Sequence, residues 1–237
     1  RAGEAFVRVT TTVDNQARDH RMRVGFPLPT PTDHSEAECA FTVVRRGLDA
    51  EGGPTERPMS TFPSRRFVRA GGLTVAHEGL LEYELCDIAD GESHLLALTL
   101  LRCTGMLSQG PMTTRPLPAG PENPLEGPQQ QGRQTFRYAV RVGDGDPYEL
   151  VESAFVPLQV ATGAGQGTEP GDGRHLAVTG AEVSALYREA GAIVLRVFNP
   201  TDEPTTVTVD GRQGWLVDLR GRPVAPFEQT VDLAPHQ

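Results

Sequence analysis

The stretch ARDHRMRVGF, residues 17 to 26, combines the side chains that acid–base catalysts and metal sites use. Alternate residues of a β-strand point to opposite faces, so only residues on the same face can converge on one ligand. If the stretch is a strand, Asp19, Arg21 and Arg23 share one face, while His20 shares the other with apolar residues. We therefore expect the first set to form a charge-pairing stripe between strands and His20 to be a core histidine rather than a ligand.

Other motifs of catalytic chemistry fail at their spacing. His77 and Glu78 begin a zinc-protease-like pattern, but Leu81 stands where its second histidine would be needed. No serine lies in a nucleophile elbow, and the cysteines lie in apolar, strand-like segments. Carboxylates are numerous, but the sequence places no pair at the separation that glycoside hydrolysis requires. From the residues alone we predict no catalytic residue and no metal site, because the six histidines offer no set of zinc ligands.

Composition excludes several classes of partner. The net charge of −9 and the complete absence of lysine argue against nucleic acid and against anionic membranes. No apolar run approaches the length of a membrane span. Three cysteines without a paired spacing fit free thiols in a reducing compartment, so we expect a cytoplasmic protein. The first residues contain neither an initiator methionine nor a signal peptide, and we expect the chain to begin inside a longer protein.

The elements that must position any site are mostly strands. Short alternating or β-branched runs recur between turn signals, which predicts an all-β sandwich. The uninterrupted apolar run HLLALTLLR predicts a central strand that is buried on both faces. One helix is expected over residues 147–155, with Asp146 as its N-cap and Pro147 in its first turn. The polar stretch 161–173 reads as a linker between a larger and a smaller β-rich block.

A long irregular segment, Gly105 to Arg133, is rich in proline and glycine. Loops of this length inside a compact domain are usually functional or disordered. Polar residues interrupt the prolines, and we single out three of them as candidate substrate or domain contacts: Arg115, Asn123 and Gln130. The alternative is that the loop merely closes over its own sandwich.

Four segments, taken in order, are the most distinctive of the chain: Asp19 to Val24, Gly79 to Glu84, Ala97 to Arg102 and the loop from Arg115 to Gly132. Together they resemble the C-terminal β-region of bacterial α-mannosidases of glycoside hydrolase family 38. The tail GAEVSALYREAGAIVLRVFNPTDEP resembles the small terminal sandwich of the same enzymes. The resemblance therefore extends over nearly the whole chain.

This resemblance implies a large sandwich of the galactose-mutarotase-like type, entered partway and so incomplete, followed by a smaller sandwich, at residues 1–162 and 174–237. The parent enzyme would be a retaining α-mannosidase. Its zinc, held by two His and two Asp, and its two catalytic Asp would belong to a missing N-terminal catalytic domain. The chain alone is then expected to be inactive and to bind no cofactor. Its partners would be that missing domain and the α-mannoside substrate of the parent, with homo-oligomers common among such enzymes.

Two other functions remain open at this point. One is a carbohydrate-binding or scaffold module without hydrolase activity. Sugar-binding surfaces usually present exposed aromatics, whereas only 6% of this chain is aromatic and its single tryptophan, Trp215, lies in a strand-like run. The other is a free-standing sugar mutarotase, which would require a converging His/Glu pair that the sequence does not supply.

Overall fold

The structure is a computed structural model that describes residues 3–163, 167 and 172–237. Those residues form two compact units, one of residues 3–40 and 44–156 and the other of residues 41–43 together with the described residues from 157 to 237. The predicted linker 161–173 includes residues 164–166 and 168–171, which lie outside the described residues. The domain limits predicted at 162 and 174 stay a prediction.

Strands dominate both units, as the sequence predicts. The strands are β1 Val7–Asn15, β2 Arg21–Thr32, β3 His34–Cys39, β4 Thr42–Gly47, β5 Thr61–Pro63, β6 Phe67–Ala70, β7 Leu73–His77, β8 Glu82–Ala89, β9 Glu92–Arg102, β10 Gly132–Val142, β11 Val178–Thr179, β12 Glu182–Glu189, β13 Ala192–Phe198, β14 Thr205–Val217 and β15 Pro223–Leu233. A 3-10 turn, Gly127–Gln129, precedes β10, and helix α1, Pro147–Phe155, follows it. The all-β prediction is confirmed.

Two antiparallel sheets form the first unit. One has the strand order β2-β9-β8-β5 and the other β1-β10-β7-β6-β3-β4. Their facing side chains form one core, in which Tyr83 and Leu98 of the smaller sheet meet Val68 and Val75 of the larger. Central strand β9 is buried continuously from Leu96 to Leu101, which confirms the expectation for its apolar run.

Strand β2 lies at the end of the smaller sheet, and its second half contains Pro27, Pro29 and Pro31. Its regular pairing with β9 is interrupted between Pro27 and Thr32. In that gap the Thr30 amide donates to the carbonyl oxygen of Gly71, in the turn between β6 and β7, at 3.0 Å. Gly71 has a φ of +51°, and a Cβ there would lie 2.1 Å from the Thr30 oxygen, so this approach requires glycine.

Helix α1 packs against strands β10, β7 and β6 of the larger sheet. The Asp146 side chain accepts a hydrogen bond from the amide of Tyr148 at 2.9 Å, and Pro147 stands in the first turn, as predicted. The Tyr148 ring packs edge-on against Phe67 of β6, with 5.2 Å between ring centroids. Arg8 of β1 donates to the last carbonyls of the helix, where a cation is favoured.

Two buried ionisable side chains of the first unit, Glu38 and His77, form side-chain hydrogen bonds. The Glu38 carboxylate is fully buried and accepts hydrogen bonds from Nε and Nη2 of Arg66. The Arg66 guanidinium also lies over the Tyr148 ring, 5.4 Å from its centroid. Elsewhere His77, only 1% exposed, shares a 2.8 Å hydrogen bond through Nε2 with Ser64, while its buried Nδ1 has no hydrogen-bond partner in the described structure.

The second unit contains a three-stranded sheet, β11-β14-β15, and a two-stranded sheet, β12-β13. Val207, Val209 and Leu233 form its core, with Leu195 and Val197 of β13 packed against them. Trp215 of β14 is 63% exposed. Across the described residues no helix has the length and apolarity needed to cross a bilayer.

Candidate functional site

All three predicted contact residues lie in the connection between β9 and β10, residues 103–131, which we call the β9–β10 loop. Backbone hydrogen bonds order the base of the loop. At its base the amide of Leu125 donates to the carbonyl oxygen of Gly105 at 2.7 Å, and that of Leu107 donates to Asn123 at 2.9 Å. These two hydrogen bonds pair the two ends of the loop in an antiparallel arrangement, so the base of the loop is a small irregular hairpin.

Side chains brace the middle of the β9–β10 loop. The buried hydroxyl of Ser108 accepts hydrogen bonds from the amides of Ala119 and Gly120, at 2.8 and 3.1 Å. The amide of Gly110 donates to the Glu122 carboxylate at 3.1 Å. These bonds satisfy backbone donors that have no strand partner, and the loop therefore holds a defined shape without regular secondary structure.

The tip of the loop is a turn in which Met112 and Arg115 exchange backbone hydrogen bonds. It is joined to a second loop of the same unit, because the amide of Arg57 donates to the carbonyl oxygen of Thr114 at 2.7 Å. The Arg115 guanidinium lies 3.8 Å from the Glu56 carboxylate, and its side chain is 21% exposed. Its Nε is buried without a hydrogen-bond partner in the described structure.

The junction with the sandwich is made by Asp19, Gln129 and Asn15. The Gln129 side chain, 1% exposed, accepts a hydrogen bond from the Asp19 amide at 2.9 Å and donates to the Asp19 carboxylate at 2.8 Å. The same carboxylate oxygen accepts from the amide of Gly105 at 2.6 Å. The Asn15 amide group donates to the carbonyl oxygens of Gln129 and Gln130, at 3.0 and 3.1 Å. We call this set of residues, with Gly105, the loop clasp.

Hydrogen bonding also sets the charge state of the clasp. The bond from Gln129, followed by that from the Gly105 amide, lowers the pKa of Asp19 below its ordinary value. Asp19 takes a left-handed backbone conformation, with φ of 49°, which aspartate tolerates better than most residues. Because its pKa is lowered, the Asp19 carboxylate is ionised at neutral pH. One of its oxygens accepts hydrogen bonds from both the Gln129 side chain and the Gly105 amide.

The predicted contact residues lie at three levels of the β9–β10 loop. Arg115 is at the tip, beside Glu56. Asn123 is exposed at the base, where its carbonyl oxygen accepts from Leu107. Gln130 is exposed next to the clasp, in a left-handed conformation with φ of 48°. Their roles as contacts stay a prediction.

The ARDHRMRVGF segment differs from its expectation at its first half. Strand β2 begins only at Arg21, so the prediction that Asp19 shares a stripe with the two arginines is wrong. The positive φ of Asp19 breaks the alternation and turns its side chain to the loop. Arg21 and Arg23 do pair across strands, each with Glu84 of β8 at 2.5 Å. His20 is only half-buried, and its Nδ1 lacks a hydrogen-bond partner in the described structure.

Sequence reasoning missed Asn15 and Gln129. Residues 129–131 are three consecutive glutamines, and nothing in their type distinguishes the buried one from the exposed ones. The one local signal is Pro128, which favours the start of the 3-10 turn that directs Gln129 inward. The described residues contain no group of three or more His, Cys, Asp or Glu arranged to hold a metal ion. The resemblance places its zinc set in the missing catalytic domain, and the lack of a zinc site in this chain stays a prediction.

Comparison with known proteins identifies relatives among glycoside hydrolases. No family model matches the chain. A provisionally named mannosylglycerate hydrolase from Halalkalibacterium halodurans is 32% identical over 109 residues, which are 44% of this chain and 11% of that protein. An α-mannosidase from Enterococcus faecalis V583 matches with a TM-score of 0.74 at 26% identity, over 99% of this chain and 27% of its own.

A second structure from Enterococcus faecalis, of a protein in glycosyl hydrolase family 38, matches with a TM-score of 0.69 at 26% identity, over 97% of this chain and 28% of its own. The chain thus spans just over a quarter of each solved structure and about a ninth of the curated relative. Over nearly its whole length it has the fold of a β-region of the family 38 α-mannosidases, which confirms the resemblance that its ordered segments indicated.

Proposed function

We propose that this chain is the non-catalytic C-terminal β-region of an α-mannosidase, where it packs against the catalytic domain and helps to complete it. The observation that supports this most directly is the match of 99% of the chain to about a quarter of an α-mannosidase. The zinc ion, its ligands and the catalytic carboxylates would belong to the remaining, N-terminal part of the parent. In keeping with the free thiols of all three cysteines, we place the parent in the cytoplasm.

Within this proposal the β9–β10 loop is the part of the chain that meets the catalytic domain or its substrate. The loop is ordered without being enclosed in either sheet of its own unit, and ordering it costs conformational entropy that a contact would offset. Arg115 is the strongest candidate on it, because its guanidinium is partly exposed at the loop tip and lies 3.8 Å from Glu56, beyond hydrogen-bond distance. A substrate hydroxyl or a carbonyl of the catalytic domain would accept a hydrogen bond from its exposed N–H groups.

The proposal predicts where catalysis resides. We expect the purified 237-residue chain to show no turnover of an aryl α-mannoside and no stoichiometric zinc, and the complete parent enzyme to show zinc-dependent turnover. Activity assays of both proteins with and without a chelator, together with elemental analysis, test this. Zinc-dependent hydrolysis by the 237-residue chain would contradict it.

A substitution at Arg115 tests the contact itself. A hydrogen bond to a charged group contributes about 1.5 to 3 kcal/mol, so Arg115→Ala in the parent should lower kcat/KM by roughly 10- to 150-fold. Arg133→Ala, at an exposed position of β10, is the matched control and should leave the kinetics unchanged. Normal kinetics in Arg115→Ala, or a loss explained wholly by a lower melting temperature, would exclude the contact.

One observation favours the second candidate function, a carbohydrate-binding module. Trp215, expected from the sequence to lie in a strand, does lie in β14 but is 63% exposed, as a sugar-stacking aromatic would be. Because it is the single tryptophan, its fluorescence reports on this position alone. Saturable quenching by mannose at millimolar or lower concentration would favour the module, whereas a flat titration favours the α-mannosidase β-region.

The same proposal includes a homo-oligomer of the parent enzyme. Sedimentation of the parent enzyme over a range of concentrations measures its oligomeric state directly.

A further inference from the structure

The β9–β10 loop is attached to its sandwich at both ends by the same few atoms. One carboxylate oxygen of Asp19 accepts from Gly105, where the loop begins, and from Gln129, where it ends. Asn15 holds the two carbonyl groups that follow. The loop clasp therefore fixes the distance between the two ends of the loop and the direction in which it leaves the sandwich.

The chemistry of the clasp makes it specific in geometry. Asp19 and Gln129 form a reciprocal pair, in which each donates one hydrogen bond to the other. Because Gln129 is 1% exposed, losing that pair would leave both ends of its amide group buried without partners. If the end of the loop shifted or rotated, the two hydrogen bonds between Asp19 and Gln129 could not both form. The loop clasp therefore fixes one position of the loop.

Gly105 shows how closely the clasp is packed. A Cβ at this residue would lie 2.8 Å from the Gln129 side-chain nitrogen and 3.0 Å from the Asp19 carboxylate. Since its φ is not positive, glycine is needed at this position for space and not for backbone conformation. Alanine at position 105 would have to displace the buried amide of Gln129 and thereby open the clasp.

We propose that Asp19, Gln129 and Gly105 are positioning residues, which hold the β9–β10 loop in the place from which Arg115 makes its contact in the parent enzyme. The ordering of the loop by the clasp is independent of any activity, whereas the effect on Arg115 rests on the function proposed above. The clasp would act on catalysis only through the loop. Its residues need not touch the substrate.

The first experiment measures loop order in the 237-residue chain by hydrogen exchange of peptides that cover residues 106–125. Gly105→Ala and Gln129→Met should each accelerate exchange there by roughly 10-fold or more, as expected when a pair of hydrogen bonds is lost, and should leave β7 and β8 unchanged. Gly120→Ala is the matched control, because the same change in the same loop meets no atom within 4 Å. Unchanged exchange in both clasp variants would overturn the proposal.

The second experiment separates positioning from general stability in the parent enzyme. Gln129→Met should lower kcat/KM by about 5- to 30-fold, and adding it to Arg115→Ala should cause no further loss, because both changes remove one contact. Asp19→Asn keeps the acceptor oxygen and should lose less than Asp19→Ala. Wild-type kinetics in Gln129→Met beside impaired Arg115→Ala, or fully multiplicative losses in the double variant, would overturn the positioning role.

The two experiments fail in different ways. If the loop exchanges faster in the clasp variants but Arg115→Ala has normal kinetics, the proposed contact of Arg115 is wrong and the clasp stands as the device that orders the loop. If exchange is unchanged, the clasp is wrong whatever the kinetics show.

Discussion

Replacing Arg66 by methionine should lower the free energy of unfolding by about 3 to 5 kcal/mol, because it leaves the fully buried carboxylate of Glu38 without its main partner. Methionine can still pack against the Tyr148 ring, although it lacks the cation–π contact of the guanidinium, so the loss would reflect the charge and not the packing. Arg65 would offset only part of the loss, since its guanidinium lies 3.8 Å from the carboxylate, within ion-pair range but beyond hydrogen-bond distance. Urea unfolding, with hydrogen exchange in β3 and β6 to localise the effect, measures it.

Replacing the two members of the buried pair, Glu38 and Arg66, should lower the free energy of unfolding by unequal amounts. Glu38→Gln leaves behind a guanidinium that is 35% exposed and can turn toward water, so it should cost less than Arg66→Met. Replacing both residues by methionine should recover much of the loss, because no charge is then left buried. Arg222→Met is the matched control: its guanidinium also binds a carboxylate, that of Asp218, but is 70% exposed, and its loss should cost less than about 1 kcal/mol. Equal costs for Arg66 and Arg222 would contradict the assignment.

The second large effect is a loss of stability between pH 7 and pH 4. Burial lowers the pKa of His77 to about 4 in the folded chain, from an ordinary value of 6.5. As the pH falls through about 6.5 the unfolded chain binds a proton that the folded chain refuses until about pH 4. The contribution of neutral His77 to the free energy of unfolding is therefore fully present above about pH 6.5. It declines by about 3 kcal/mol in total as the pH falls to about 4.

His77→Gln should flatten that part of the pH profile. Glutamine carries an amide that can still bond to Ser64, but it has no proton to gain, so the difference between variant and wild type should narrow as the pH falls. Melting temperatures measured from pH 7 to pH 4 give the comparison. His94→Gln, at an exposed position of β9, serves as control and should retain the wild-type slope. A variant at position 77 with the wild-type slope would show that other groups cause the acid loss.

Local signals in the sequence were sufficient for some elements. Strand β9 follows from an apolar run without polar alternation, and helix α1 follows from Asp146 and Pro147. Each of these signals lies within ten or so residues of the element it predicts. The first unit could be predicted to be a β-sandwich for the same reason, because each strand has its own apolar run.

The candidate site depends on contacts that no local pattern encodes. Asp19 and Gln129 are 110 residues apart, and Glu38 and Arg66 are 28 apart. Alternation placed Asp19 on a strand because a single left-handed residue leaves no trace in the hydrophobic pattern. On the same ground the sequence could not show that Gln129 and not Gln130 is the buried glutamine, since the turn before β10 decides this; the role of Gln130 as a contact stays a prediction. The family resemblance located the loop, but only the folded chain reveals how it is held.

The prolines of β2 affect how the folded molecule meets its neighbours in a crowded solution. Alternate residues of a strand direct their backbone groups to the same side, so Pro27, Pro29 and Pro31 leave that side with carbonyl groups but no donors. A strand from another molecule that approached this side would find only half of the hydrogen bonds it needs. Edge strands are otherwise natural templates for fibril growth, and the proline spacing of β2 protects this segment from such aggregation.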